Sequence, residues 1–170
     1  RIVSDHVADF LFVPTHTGMH NLINEGLGKK AILTGDIMVD SVKLASSLSQ
    51  VHSTILARYG LDDGHYYLLT LHRPYNVDDP LILKKILDGL LKLSLPVIFP
   101  IHPRTKKLLE SSSIKIPENF VITEPQGYFD FLSLQEKSKA IITDSGGIQK
   151  EACILRKPCI TLRTETEWTE

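Results

Sequence analysis

Cysteine is scarce: Cys153 and Cys159 are the only two, and they are not spaced as a C-x-x-C pair. That excludes a thiolate zinc cluster and a disulfide framework. Both lie in apolar stretches, EACIL and KPCITL, and are read as buried thiols of an intracellular protein. No run of roughly 18 apolar residues occurs, so there is no candidate membrane span. No signal peptide is expected ahead of the fold, and the cytoplasm is the expected location. Neither sign of charge dominates, because 19 basic and 20 acidic side chains leave a formal charge of -1. This argues against a nucleic-acid stripe and against a membrane-binding surface. The nearest thing to a basic block, Arg104 with Lys106 and Lys107, reads as a solvated helix face. No G-x-G-x-x-G fingerprint, Walker lysine pattern or metal-ligand spacing is found, so neither cofactor nor metal is expected.

What is there is a chain of 170 residues, long enough for one domain with a core and part of another. It starts within what reads as the back half of a helix, RIVSDHVADF, and stops just after a strand, so both ends are expected to be cuts. Short apolar runs at 9–13, 31–34, 66–71, 96–101, 120–123, 140–144 and 158–162 read as strands. They are continuous and not alternating, the pattern of strands covered on both faces of a parallel sheet. Between them lie helical patterns at 15–26, 40–59, 79–94, 103–111, 128–138 and 148–155. This alternation predicts an α/β fold built on a doubly wound parallel sheet. Residues 1–36 are expected to be the tail of a first domain, 37–63 a connecting helix, and 64–170 most of a second domain that lacks its final helix.

Ligands of open parallel sheets bind beyond the carboxyl ends of the strands, and polar residues gather at those mouths. The strongest element is Asp144-Ser145-Gly146-Gly147 ahead of a helix starting near Ile148. A glycine pair lets backbone approach a phosphate, and a helix start offers free N–H groups and the positive dipole end. Ser145 adds a hydroxyl and can cap the helix. A capped helix after a tight turn would account for the same residues. Glu151, farther along that helix, suits two ribose hydroxyls, or simply complements the helix dipole. His72 and Arg73 directly follow a strand. Arg73 is suited to an anionic group, and His72 to phosphate contact or proton transfer. His102 and Arg104 form a weaker pair of the same kind. His6, His16, His20, His52 and His65 lack such context and read as structural or surface residues.

Taken in order, LHRPYN, FPIHPR, PQGYFDFL, TDSGGIQKEA, RKPC and RTETEWTE resemble the non-hydrolysing UDP-N-acetylglucosamine 2-epimerases. The upstream RIVSDHVADFLFVPT and LTGDIMVDSV also fit, so the likeness covers essentially the whole chain. It implies a GT-B-like fold of two Rossmann-like domains, of which this chain is mostly the C-terminal, nucleotide-binding one. It implies that Ser145, Gly146 and Gly147 bind the diphosphate of a UDP-sugar, that Glu151 binds ribose and that Phe131 lies near uracil. His72 would lie against the phosphates as the catalytic residue this segment supplies. Arg73 and His102 match positions that contact a second, activating UDP-sugar. The implied reaction inverts C2 of the sugar by loss of UDP to a 2-acetamidoglucal and re-addition, without metal or nicotinamide. The full-length enzyme is expected to be a homodimer.

Two departures qualify this likeness. The family's catalytic carboxylates lie upstream of Arg1, so the chain alone is expected to bind weakly and turn over poorly or not at all. Where the family reads Thr-Glu-Arg-Pro-Glu, this chain has Thr166-Glu167-Trp168-Thr169-Glu170. Glu167 and Trp168 therefore bear on the sugar, and resemble the branch acting on 2,3-diacetamido-glucuronate nucleotides, or they anchor a domain interface. Two other readings compete: a UDP-sugar-dependent GT-B glycosyltransferase, and a catalytically inert UDP-binding module.

Overall fold

The computed structural model describes residues 1–112 and 114–166. The chain divides into two compact units, residues 1–43 and a larger one from residue 44 onward. The division falls inside helix α3 (Ile37–His52).

The first unit has helix α1 (Ile2–Val7), strand β1 (Leu11–Val13), helix α2 (His16–Asn24), a 3-10 turn at Gly28–Lys30 and strand β2 (Ala31–Leu33). β1 and β2 pair in parallel, Phe12 opposite Ile32. Thr15 caps α2 by accepting from the Gly18 amide at 3.0 Å. Val13, Leu22 and Leu27 form a small core.

The second unit carries helix α4 (Ile55–Tyr59), strand β3 (Tyr67–Thr70), helices α5 (Pro74–Val77) and α6 (Pro80–Leu90), strand β4 (Val97–Pro100), helix α7 (Pro103–Ser111), strand β5 (Phe120–Thr123), helix α8 (Tyr128–Lys137), strand β6 (Ala140–Thr143), helix α9 (Gly146–Ile154) and strand β7 (Cys159–Thr161). Its sheet has the order β5-β4-β3-β6-β7, with every pair parallel. This is the expected doubly wound, Rossmann-like arrangement. The chain runs outward from β3 to β5, then returns to add β6 on the other side of β3, so the switch point lies between β3 and β6.

The strand runs are continuously apolar because both faces are covered. Leu69, Val97, Phe99 and Ile142 pack on one side with Leu83, Leu87 and Leu109 from α6 and α7. Leu68 and Ile98 face the other side with Ile55 of α4 and Leu134 of α8. Each fully buried side chain of this size contributes roughly 1.5–3 kcal/mol of transfer free energy.

All seven expected strands form, but the helix expected over 40–59 is interrupted. The Ser53 hydroxyl donates to Asp130 Oδ1 at 2.6 Å and accepts from the Ile55 amide at 3.3 Å. That local bonding competes with a continuous helical ladder, and α4 restarts at Ile55 and ends on Gly60 in the left-handed region, φ 61°. Helix α6 begins where Asp79 accepts from the Leu81 amide at 2.8 Å, with Pro80 at its first position. The reading of both cysteines as buried is corrected: Cys153 is exposed on α9, and Cys159 is only half-buried because β7 is an edge strand of the sheet.

Candidate functional site

The site is built at the switch point. β3 ends at Thr70 and β6 at Thr143, directly opposite one another in the sheet. Their buried hydroxyls lie 2.6 Å apart. Thr143 Oγ1 also accepts from the Ser145 amide at 3.0 Å, turning the chain from strand to helix within two residues.

Asp144 is the buried hub, with 0% exposure. Its carboxylate accepts from the His72 amide at 3.2 and 3.1 Å, from the Arg73 amide at 2.9 Å and from Asn76 Nδ2 at 3.0 Å. The His72 ring nitrogen Nδ1 lies 3.1 Å from Asp144 Oδ1. Arg73 Nε donates to the Asp144 carbonyl at 3.3 Å. One carboxylate thus ties the first residues after β3 to the first residue after β6. Asn76 extends the tie to the residue after β7, because its Nδ2 also donates to the Leu162 carbonyl at 3.0 Å.

Helix α9 starts earlier than near Ile148. Ser145 is its cap, accepting from the Ile148 amide at 3.4 Å, so Gly146 and Gly147 are its first two residues. Their amides belong to the turn that has no carbonyl of its own helix to bond. A Cβ placed on Gly147 would meet only Ser145 Oγ at 3.9 Å. Among the described residues nothing therefore requires glycine at 147, and Gly147 is exposed while Gly146 is buried.

Glu151 lies in the second turn of α9 and is buried. Gln135 Nε2 donates to its Oε2 at 2.6 Å, and the Tyr128 hydroxyl to its Oε1 at 3.2 Å. Burial, then the neighbouring Glu151 charge and hydrogen bond, push the Tyr128 hydroxyl above its ordinary pKa. Each carboxylate oxygen has two acceptor positions, so Glu151 retains capacity for further donors.

The other candidates are placed as follows. Phe131 is half-buried on α8 and packs against the cluster containing Ile55, Tyr66 and Ile98. His102 is exposed just before α7, and its carbonyl accepts from the Lys106 amide at 3.0 Å. His6, His16, His20, His52 and His65 are all exposed. Glu167 and Trp168 lie outside the described residues. The loop after β7 reaches α9 through Thr166, whose hydroxyl donates to Gln149 Oε1 at 2.7 Å. Asp144 belongs to the strongest sequence element, and Asn76 and Tyr128 lie in the polar stretches after β3 and β5, but none of the three carries a site role of its own in the sequence; Gln135 carries no signal there at all.

A profile of UDP-N-acetylglucosamine 2-epimerases matches residues 1–170. The chain belongs to the UDP-N-acetylglucosamine 2-epimerase family. The UDP-N-acetylglucosamine 2-epimerase of Methanocaldococcus jannaschii is 39% identical, over 100% of this chain and 50% of its own length. A UDP-2,3-diacetamido-2,3-dideoxy-D-glucuronate 2-epimerase of Pseudomonas aeruginosa is also 39% identical, over 100% and 48%. Among solved structures, the M. jannaschii enzyme in complex with UDP-GlcNAc and UDP matches with a TM-score of 0.87 at 39% identity, over 99% of this chain and 49% of that one. The chain spans about half the length of the curated relatives it matches. A wall teichoic acid polymerase, 17% identical with a TM-score of 0.53, shares the fold alone. The epimerase-family fold of this chain is α/β and GT-B-like.

Proposed function

We propose that this chain is the nucleotide-binding half of a non-hydrolysing UDP-sugar 2-epimerase. The enzyme interconverts UDP-N-acetylglucosamine and UDP-N-acetylmannosamine or a related 2-acetamido pair. The observation that carries this is the Ser145-capped start of α9, with two glycine amides, beside the first residues after β3 at the switch point. In this reading Ser145, Gly146 and Gly147 bind the diphosphate. Glu151 accepts from the ribose hydroxyls, and Phe131 lies toward the uracil. His72 touches the phosphates, and Arg73 and His102 serve a second UDP-sugar.

The chemistry asked of such a site follows from the reaction. A base takes the C2 proton, the C1–O bond breaks, and its electron pair leaves with UDP, giving the 2-acetamidoglucal. No carbonyl acidifies C2, so stabilising the departing diphosphate carries much of the barrier. Preorganised amides, a helix start and a histidine at the switch point are groups of the right kind. The base itself is assigned to the part of the complete enzyme outside this chain, and the complete enzyme is taken to be a cytoplasmic homodimer.

The test is to incubate the complete gene product with UDP-N-acetylglucosamine and no acceptor. Appearance of the C2 epimer supports the reading. Transfer of sugar only when an acceptor is added would replace it with a glycosyltransferase, and UDP affinity without turnover would replace it with an inert binding module.

A further inference from the structure

We propose that Asp144 is a positioning residue for His72: its carboxylate holds the ring proton on Nδ1 and so presents Nε2 to the ligand. That the ligand is a UDP-sugar rests on the function proposed above; the pairing itself does not.

The two carboxylate oxygens are not equivalent. Oδ2 accepts from the His72 amide at 3.1 Å, the Arg73 amide at 2.9 Å and Asn76 Nδ2 at 3.0 Å. Oδ1 faces the His72 ring, 3.1 Å from Nδ1, and shares the His72 amide at 3.2 Å. Two of these donors are backbone and the carboxylate is fully buried, so it cannot turn away from the ring. A neutral imidazole carries one N–H and one lone pair, and the partner of one nitrogen decides which is which. A lone pair on Nδ1 would be set against an anionic oxygen at 3.1 Å, whereas an N–H there is attracted. The proton therefore belongs on Nδ1, opposite to the Nε2–H form that free histidine favours. The His72 side chain is 47% exposed, so Nε2, which then carries the lone pair, remains open to a proton or hydrogen-bond donor of the ligand.

Asp144→Asn separates this role from a purely structural one. The three donors at Oδ2 hold the amide oxygen there, which places the new NH2 where Oδ1 faces the ring. Nδ1 must then accept, and the proton moves to Nε2. Nitrogen-15 spectra of the ring are recorded about two units above the ordinary histidine pKa of about 6.5, with His72 assigned by its loss in His72→Gln. The wild-type ring is expected as Nδ1–H and the Asp144→Asn ring as Nε2–H. In the complete gene product, kcat should fall on the order of 10²–10⁴-fold, the scale of losing one correctly protonated group, with KM little changed. A wild-type ring in the Nε2–H form overturns the proposal, even if the variant does not fold. So does an Asp144→Asn protein with a flipped tautomer and undiminished kcat. If the complete gene product epimerises no UDP-sugar at all, the functional reading fails, and the wild-type spectrum still decides the pairing.

Discussion

Gln135 Nε2 donates to Glu151 Oε2 at 2.6 Å from a position with no solvent exposure. The donor comes from α8 and the acceptor from α9, so the ribose-binding candidate is held by the neighbouring helix. The side-chain oxygen of Gln135, Oε1, is buried without a partner among the described residues, so the contact of Nε2 with Glu151 is what orients this amide.

Gln135→Leu should therefore weaken UDP binding by about 1–1.5 kcal/mol, roughly tenfold, by leaving Glu151 poorly fixed and short of a donor. Gln135→Glu should be worse, because two carboxylates would then share the site. Calorimetric titration of UDP into each variant checks the order; equal affinity in all three proteins would contradict it.

The Thr70–Thr143 hydroxyl pair predicts a non-additive result. Thr143→Val strands the Thr70 hydroxyl and the Ser145 amide, which now bond to Thr143, and should cost about 1–3 kcal/mol. In Thr70→Val/Thr143→Val the orphaned hydroxyl is gone, so the double variant should cost less than the sum of the singles. Urea denaturation of the four proteins measures the coupling, and strict additivity would show that the pair is not bonded.

The strands were readable because burial on both faces leaves continuous apolar runs, as in Leu68-Leu69 and Ile98-Phe99. The Ser-capped start of α9 was readable because Ser145-Gly146-Gly147 is contiguous. Asp144's bonds were not, since its partners His72 and Asn76 lie 72 and 68 residues away. They meet only because β6 pairs with β3, and strand order is not written in any local pattern. Gln135 and Tyr128 were missed for the same reason: a glutamine and a tyrosine on an amphipathic helix gain meaning only from the helix beside them. The break at Ser53 escaped because it depends on a side-chain acceptor, Asp130, 77 residues away.

Asp144→Ala should be the most destabilising change at the site. It removes the acceptor of two backbone amides and of Asn76, and each buried donor left unsatisfied costs roughly 1–3 kcal/mol. Asn76→Ala should cost less, since it leaves the backbone amides on Asp144. Chemical denaturation checks the ranking, which a smaller loss for Asp144→Ala would reverse.

Stability should fall at alkaline pH. Burial, then the Asp63 charge, raise the Tyr66 hydroxyl well above its ordinary value of 10.0, and the Tyr128 hydroxyl is raised as well. With folded values above unfolded ones, the stabilisation is full below about pH 10 and is lost as pH rises toward the folded values. Tyr66→Phe should flatten that decline, while costing stability at neutral pH through the lost bond to the Leu134 carbonyl, 2.8 Å long. Urea midpoints measured from pH 8 to 11 would show it; an unchanged slope in Tyr66→Phe would assign the decline to other groups.

The most direct test of the account is a calorimetric titration of UDP into this chain and into Glu151→Ala. The wild type should bind, and the variant should lose about 1.5–3 kcal/mol, roughly ten- to a hundredfold in affinity, from removal of a charge-assisted contact to ribose. Equal UDP affinity in both proteins, with the variant still folded, would contradict the placement of the nucleotide on α9.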